Sequence, residues 1–204
     1  MGRLPRVPSI FDRDFDSVAN VGAPPPLGPG TGFLFVVASS NVDLRGTALG
    51  RSVLLIKEKK SGLWGPPGGQ TDKTDHSPLH SAMREFFEEV GADWRRLANK
   101  VSQIAFVRIR PAVGAAPRAD ESWALFTNLS AQDSEAALFP DDRSKWTLPQ
   151  RMNHSGAKDS AGYAFVPVDQ LLQANKNTGE FKLGPTTAKL RDVRRTTEAL
   201  KNLP

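Results

Sequence analysis

The sequence predicts a mixed α/β domain, and three observations carry that prediction. Gly32 to Ala38 and Ser52 to Lys57 are apolar runs rich in aromatic and β-branched residues, which read as two paired strands. Ser77 to Gly91 has helical apolar spacing between clear start and stop signals. Downstream, three more strand-like runs end in a short helix. At 204 residues, with 39% hydrophobic and 24% charged residues, the chain can bury the core of one enzyme-sized domain. Two full domains would be a tight fit.

Taken in order, residues 1 to 30 are rich in Pro and Gly, above all Ala23 to Gly30, and read as a mobile or surface-draped lead to a domain over 31 to 204. The first strand is followed by a polar turn, Asn41 to Gly50, short enough to let the next strand fold back and pair. Lys57 to Gly62 is a second polar turn. Trp64-Gly65-Pro66-Pro67-Gly68-Gly69 is then a rigid Pro/Gly loop feeding the helix. Beyond the helix, Ser102 to Arg110 and Glu121 to Asn128 read as strands, and so does 162 to 167, with Val168 to Leu172 opening a helix. The connection at about 131 to 161 is long for a compact domain, a length generally found in functional or disordered segments.

The helix has a defined start and end. Ser77 is a good N-cap, Pro78 suits the first helical position because its missing N–H is not needed there, and Gly91 can take the left-handed conformation that ends a helix. Leu79, Ala82, Met83, Phe86, Phe87 and Val90 recur at helical spacing and form an apolar stripe for a core. At about 100° per residue, Glu85, Glu88 and Glu89 share a narrow sector beside Arg84. Neighbouring carboxylates repel unless a cation sits among them, and hard oxygen donors suit Mg²⁺ or Mn²⁺. An acidic face on a helix is by itself more often solvated surface. The preceding glycine loop, whose backbone can approach a ligand closely, shifts the reading towards metal held against phosphate.

From Trp64 to Gly91 the chain resembles the Nudix hydrolase family, whose box runs from a W-x-x-P-G-G loop to R-E-U-x-E-E-x-G with U a bulky apolar residue. Arg84-Glu85-Phe86-Phe87-Glu88-Glu89-Val90-Gly91 fits with Phe86 at U. Gly162 to Leu171 also resembles the family's late strand and following helix, so the likeness extends over about 31 to 203. It implies a Nudix-like α/β/α sandwich with a mixed sheet. It also implies a pyrophosphohydrolase that uses Mg²⁺ or Mn²⁺ to cleave a diphosphate linkage in a nucleoside diphosphate derivative: a nucleotide, a dinucleoside polyphosphate or capped RNA. By resemblance, Glu88, Glu89 and the Gly69 carbonyl are metal ligands, Glu85 is a ligand or the general base, and Arg84 orients a carboxylate. A late-loop acid is often added in the family; Asp159 is the first choice here, with Glu135, Asp141 and Asp142 as competitors.

One part of the box departs from the pattern. The family has five residues between the second glycine and a first glutamate, then seven before the arginine. Counting back from Arg84 leads to His76, which six residues separate from Gly69, so the loop reads as one residue long and the first glutamate as missing. Asp75 or Asp72 could supply the lost carboxylate, or His76 could occupy its place without its role. This loss favours an alternative function, a Nudix-like nucleotide-binding or sensor module with little or no hydrolysis. The intact Glu85, Glu88 and Glu89 argue against it.

Composition narrows the other possibilities. With no cysteine there are no disulfides, thiol nucleophiles or cysteine-based zinc sites, and His76, His80 and His154 lack zinc-ligand spacing. Met1 to Asp16 mixes Arg and Asp without an apolar core, and no apolar run reaches spanning length, so a soluble cytoplasmic protein without membrane contact is expected. Of the net charge of +5, residues 143 to 204 carry more than their share, eleven Lys and Arg against five Asp and Glu. That excess could steer a polyphosphate or RNA, although a solvated basic helix is the commoner meaning, with Leu190, Val193, Leu200 and Leu203 on its apolar side. In the long connection, Trp146, Arg143 and Arg151 could stack on a base and contact phosphate, while Trp146 could equally anchor the loop in a core. No signature selects one substrate, and nothing in the sequence sets the oligomeric state.

Overall fold

The computed structural model describes residues 19–21, 25, 27–42, 48–91, 101–109, 122–129, 160–173 and 182–184. Its elements in chain order are β1 (Ala19–Val21), β2 (Thr31–Val42), β3 (Ala48–Glu58), β4 (Trp64–Gly65), β5 (Gly68–Gln70), α1 (Pro78–Val90), β6 (Val101–Ile109), β7 (Ser122–Leu129), β8 (Ser160–Pro167) and α2 (Val168–Gln173). They form one mixed sheet with the path β1-β6-β7-β2-β3-β4, to which β5 adds on β2 and β8 on β3. The β1/β6 and β2/β7 pairs are parallel and the remaining pairs antiparallel. Ala19–Val21 lies within the Pro/Gly-rich first thirty residues and pairs alongside Gln103–Ala105. Among the described residues no helix is long and apolar enough to cross a membrane.

The pairing of β2 with β3 explains where the site forms. It runs from Val37 opposite Val53 out to Val42 opposite Ala48. Continued inward, the same register would bring Phe33 and Leu34 opposite Lys57 and Ile56. The strands part there instead, and the glycine loop enters between them. Its first half pairs with β3 (Lys57 with Trp64, Ile56 with Gly65) and its second half with β2 (Phe33 with Gly68, Gly32 with Gly69, Thr31 with Gln70). Pro66 and Pro67 make the crossing between the two. Having no N–H, they owe the ladder no donor, and the Pro67 carbonyl accepts from Leu34 N–H at 2.9 Å. Sequence reading takes 64–69 as a plain loop because strands of two and three residues have no period to detect.

Alternation along the strands divides the buried side chains between two faces. Phe33, Phe35, Val37, Val53, Leu55 and Val166 pack with Trp64, Leu183 and, from α2, Val168 and Leu171. The opposite face carries Leu34, Val36, Leu54 and Ile56, all buried, and receives α1. Gly32 fixes how closely α1 can sit. A Cβ built there would lie 2.7 Å from the Pro78 carbonyl carbon and 3.1 Å from Ala82 Cβ, so a side chain would push the helix off the sheet. The sheet is thus sandwiched between α1 and α2.

The helix limits follow the caps read from the sequence. Ser77 is extended and its hydroxyl accepts from His80 N–H at 3.4 Å, while Gly91, at φ 73°, donates to the Phe87 carbonyl at 2.9 Å. Leu79, Ala82, Met83, Phe86 and Val90 are buried as the apolar stripe requires. Phe87 is a correction: it is 59% exposed. It lies about 100° round the helix from Phe86, beyond the edge of the stripe, and an apolar residue next to a stripe is not automatically in it.

Candidate active site

The face of α1 that meets the glycine loop is built from residues four apart. Ser81, Glu85 and Glu89 follow one another along the helix, and each touches Gly68 or Gly69. Ser81 Oγ donates to the Gly69 carbonyl. Glu85 fills the space in which a Gly69 side chain would stand, its Cδ 2.8 Å from where a Cβ would be. Glu89 Oε2 accepts from Gly68 N–H at 3.0 Å. Gly68 is required by close approach as well, since a Cβ there would fall 2.7 Å from Phe33 Cδ1 and 2.8 Å from Phe33 Cα. The bare Gly69 thus leaves room for Glu85 of the helix, and the bare Gly68 lets the loop lie close against β2.

Arg84 organises the neighbouring acids. Its Nη1 lies 2.9 Å from Glu85 Oε1 and 3.1 Å from Glu88 Oε2, Nη2 donates to the Gln70 carbonyl at 3.1 Å, and Nε and Nη2 grip Asp75 Oδ2 at 3.1 and 3.0 Å. Asp72 is at the rim, 3.5 Å from Nε and half exposed, whereas the Asp75 carboxylate is only 5% exposed. Burial alone would lower the Arg84 pKa, but Asp75 and Glu85 outweigh it and the guanidinium is held charged. Burial likewise raises the Glu85 carboxyl above its ordinary value, and the nearby Arg84 offsets this only in part. Asp72 is lowered, first by the Thr74 hydroxyl and N–H it accepts from.

Asp75 resolves the departure at the first glutamate. Five residues, Gln70 to Thr74, separate it from Gly69, so the acidic position is filled in its usual place after the glycine by a shorter acid. The extra residue lies between Asp75 and Arg84. His76, reached by counting back from Arg84, is exposed and engaged elsewhere. Its N–H donates to His80 Nδ1 at 3.2 Å, its carbonyl accepts from Gly28 N–H at 2.8 Å, and its ring stands edge-on to His80 with centroids 5.4 Å apart.

The strand that ends the site is tied to the helix from behind. Ser160, 1% exposed at the start of β8, donates through Oγ to the Glu89 carbonyl, one of the last carbonyls of α1 that the helix itself leaves open. Neither Ser81 nor Ser160 was identifiable from the sequence, since a single hydroxyl carries no periodic or motif signal. Asp159, Glu135, Asp141, Asp142, Arg143, Trp146, Arg151 and the basic stretch from 185 onward lie outside the described residues.

A family model described as NUDIX domain matches residues 35–186. The chain belongs to the Nudix family. Among solved structures, the Nudix hydrolase RenU from M. Smegmatis is similar at 18% identity and a TM-score of 0.50, over 86% of this chain and 87% of that one. A mutT/nudix family protein from Listeria innocua is similar at 18% identity and a TM-score of 0.45, over 89% and 96%. The C. elegans Ap4A hydrolase is similar at 14% identity and a TM-score of 0.44, over 90% and 98%. At 18% identity, the likeness to RenU speaks for the fold alone. No curated protein matches the chain.

The Gly69 carbonyl already accepts from Ser81 Oγ and is paired with Gly32 in the ladder, so the Nudix box here offers its three carboxylates as donors of the right chemistry for a hard divalent cation. They do not yet converge, since among the described residues no three His, Cys, Asp or Glu side chains are gathered tightly enough to hold a metal ion. Glu85 and Glu88 close instead on the Arg84 guanidinium, the positive charge already among them.

Proposed function

We propose that this Nudix protein is a Mg²⁺- or Mn²⁺-dependent pyrophosphohydrolase acting on a diphosphate linkage in a nucleoside diphosphate derivative. The observation that carries this reading is the contact of Ser81, Glu85 and Glu89 with Gly68 and Gly69, which sets carboxylates beside a backbone with no side chain in the way. Glu85, Glu88 and Glu89 would hold the cation, and the outer torsions of glutamate are soft enough for the carboxylates to swing onto it. A bound divalent cation would offset charge building on the phosphate oxygens and acidify the attacking water.

The chain's own residues have distinct parts in this reading. Arg84 draws Glu85 and Glu88 to one side of the helix and is braced by Asp75. Glu85, with its carboxyl raised by burial, suits either a ligand or a proton acceptor for water. Asp159 is proposed as a late-loop acid, joined to β8 directly before Ser160, and Trp146, Arg143 and Arg151 as substrate contacts. A cytoplasmic location and a substrate that includes RNA belong to the same proposal.

The deciding experiment is a hydrolysis screen over nucleoside diphosphate derivatives and capped RNA with Mg²⁺ and Mn²⁺, run beside Glu89→Gln. Turnover that needs the cation and falls in the variant supports the proposal. Tight nucleotide binding without turnover would establish the binding or sensor module in its place.

A further inference from the structure

The loop that leads into α1 is closed by a pair of histidines. His80 stands at the third position of the helix, where a capping box carries Glu or Gln. Half of that box is present in its usual form, the Ser77 hydroxyl accepting from His80 N–H at 3.4 Å. In return the His80 side chain reaches back past Ser77, and its Nδ1 accepts from His76 N–H at 3.2 Å. The His76 carbonyl takes Gly28 N–H at 2.8 Å, so the His76 backbone hangs between the helix on one side and the segment at 27–30 on the other. Asp75, which grips Arg84, comes directly before it.

We infer that His80 makes this cap pH-sensitive: when its ring takes up a second proton, Nδ1 becomes a donor, His76 N–H loses its acceptor, and the loop loses its tie to α1. A glutamine in its place would accept at any pH, whereas an imidazole accepts only while neutral, with its proton on Nε2. The surroundings set the direction. The positive end of the helix dipole lies at His80, and the Arg84 guanidinium stands one turn on along the same face, so both oppose a second positive charge. In the loop, Lys73 adds to that opposition and the His76 ring stands edge-on to His80, while the carboxylates are engaged: Asp75 with Arg84, and Asp72 with Thr74 and Asp75 N–H. Residues 27–30 carry no ionisable side chain; of the strands packed on α1, β2, β5 and β7 carry none and β8 only Tyr163. The fold therefore favours the neutral ring. The stability this contributes is complete above the ordinary histidine value of about 6.5 and is lost as pH falls through it towards the lower folded value.

The test uses the full chain in EDTA, with urea unfolding and nuclear magnetic resonance of the His80 ring as readouts. From about pH 7.5 to about pH 5.5 the wild type should lose about fivefold in its folding equilibrium relative to His80→Gln, as linkage requires when folding makes a histidine about tenfold harder to protonate. His76→Gln keeps its backbone N–H and should follow the wild-type pH dependence. In the wild type the His80 ring should titrate below about 6.5 and, when neutral, carry its proton on Nε2. A titration at or above that value, or a His80→Gln profile parallel to the wild type, would overturn the inference. So would loss of the pH dependence in His76→Gln alone. None of these readouts involves a metal, so the metal-dependent reading of the site stands or falls separately.

Discussion

Asp75 meets Arg84 across nine residues of sequence, with Oδ2 3.0 Å from Nη2 and 3.1 Å from Nε, in a pair whose carboxylate is 5% exposed. The same guanidinium reaches Glu85, Glu88 and the Gln70 carbonyl, so the pair joins the loop before the helix to the acids on it. Removing Asp75 would leave a partly buried cation short of its best partner. Asp75→Ala should destabilise the protein by about 2 kcal/mol, the scale of charged hydrogen bonds that are not fully buried. His76→Glu, at the exposed neighbouring position, should stay within about 0.5 kcal/mol. Urea unfolding of the two variants measures both. If His76→Glu gave the larger change, His76 and not Asp75 would hold the first acidic position of the box.

Gly32 determines the distance of α1 from the sheet. Its missing Cβ would meet the backbone of Pro78, which cannot rotate away as a flexible side-chain end could. Gly32→Ala should therefore cost about 1 to 3 kcal/mol, the usual penalty of overpacking, and lower activity by moving the whole box helix. Gly50→Ala is the comparison, because nothing lies within 4 Å of its Cβ position and only its φ of 61° opposes the substitution. Equal stability of Gly32→Ala and the wild type in chemical denaturation would show that the helix tolerates being lifted.

Much of this was legible in the chain. The caps Ser77 and Gly91 and the β-rich runs of β2 and β3 express local preferences, and those elements form where the preferences lie. Register along the box was not legible, because counting assumes that loops are equal in length. The pairing of Asp75 with Arg84 is settled by how the loop closes in space. The wedge of 64–70 between β2 and β3 escaped for a related reason, since it is held by partners on both sides and not by any pattern of its own. Phe87 shows the limit of periodicity at a stripe edge, where one residue step decides between core and solvent.

Glu85 should leave a pH signature in the metal-free protein. Its folded-state pKa is raised, first by burial, so folding favours the protonated form. That contribution to stability is complete below the ordinary value of 4.5 and is lost as pH rises through the higher folded value. Glu85→Gln cannot ionise and does not lose it. In EDTA, the stability of Glu85→Gln relative to wild type should accordingly improve as pH is raised from about 4 to 7, whatever the fixed effect of changing the Arg84 contact. Denaturant midpoints across that range give the answer. A difference that stays flat would mean that the Glu85 carboxyl ionises as readily in the fold as in the open chain.

Glu89→Gln separates chemistry from architecture better than any other substitution in the box. The carboxylate accepts Gly68 N–H through Oε2 at 3.0 Å, and a glutamine carbonyl oxygen can accept the same hydrogen bond. Ser160 holds the Glu89 backbone carbonyl, a contact the side-chain change leaves alone. The loop should therefore stay seated on α1 and the melting temperature should move little. What is lost is the negative charge, and with it the attraction for a divalent cation. If Glu89 is a metal ligand, transition-state stabilisation worth several kcal/mol goes with it, which is about a hundredfold or more in turnover at limiting Mg²⁺. Steady-state rates over a Mg²⁺ titration, set beside the melting curves, check both halves. Near-normal turnover at limiting Mg²⁺ with an intact fold would remove Glu89 from the ligand set and leave it as the anchor of Gly68.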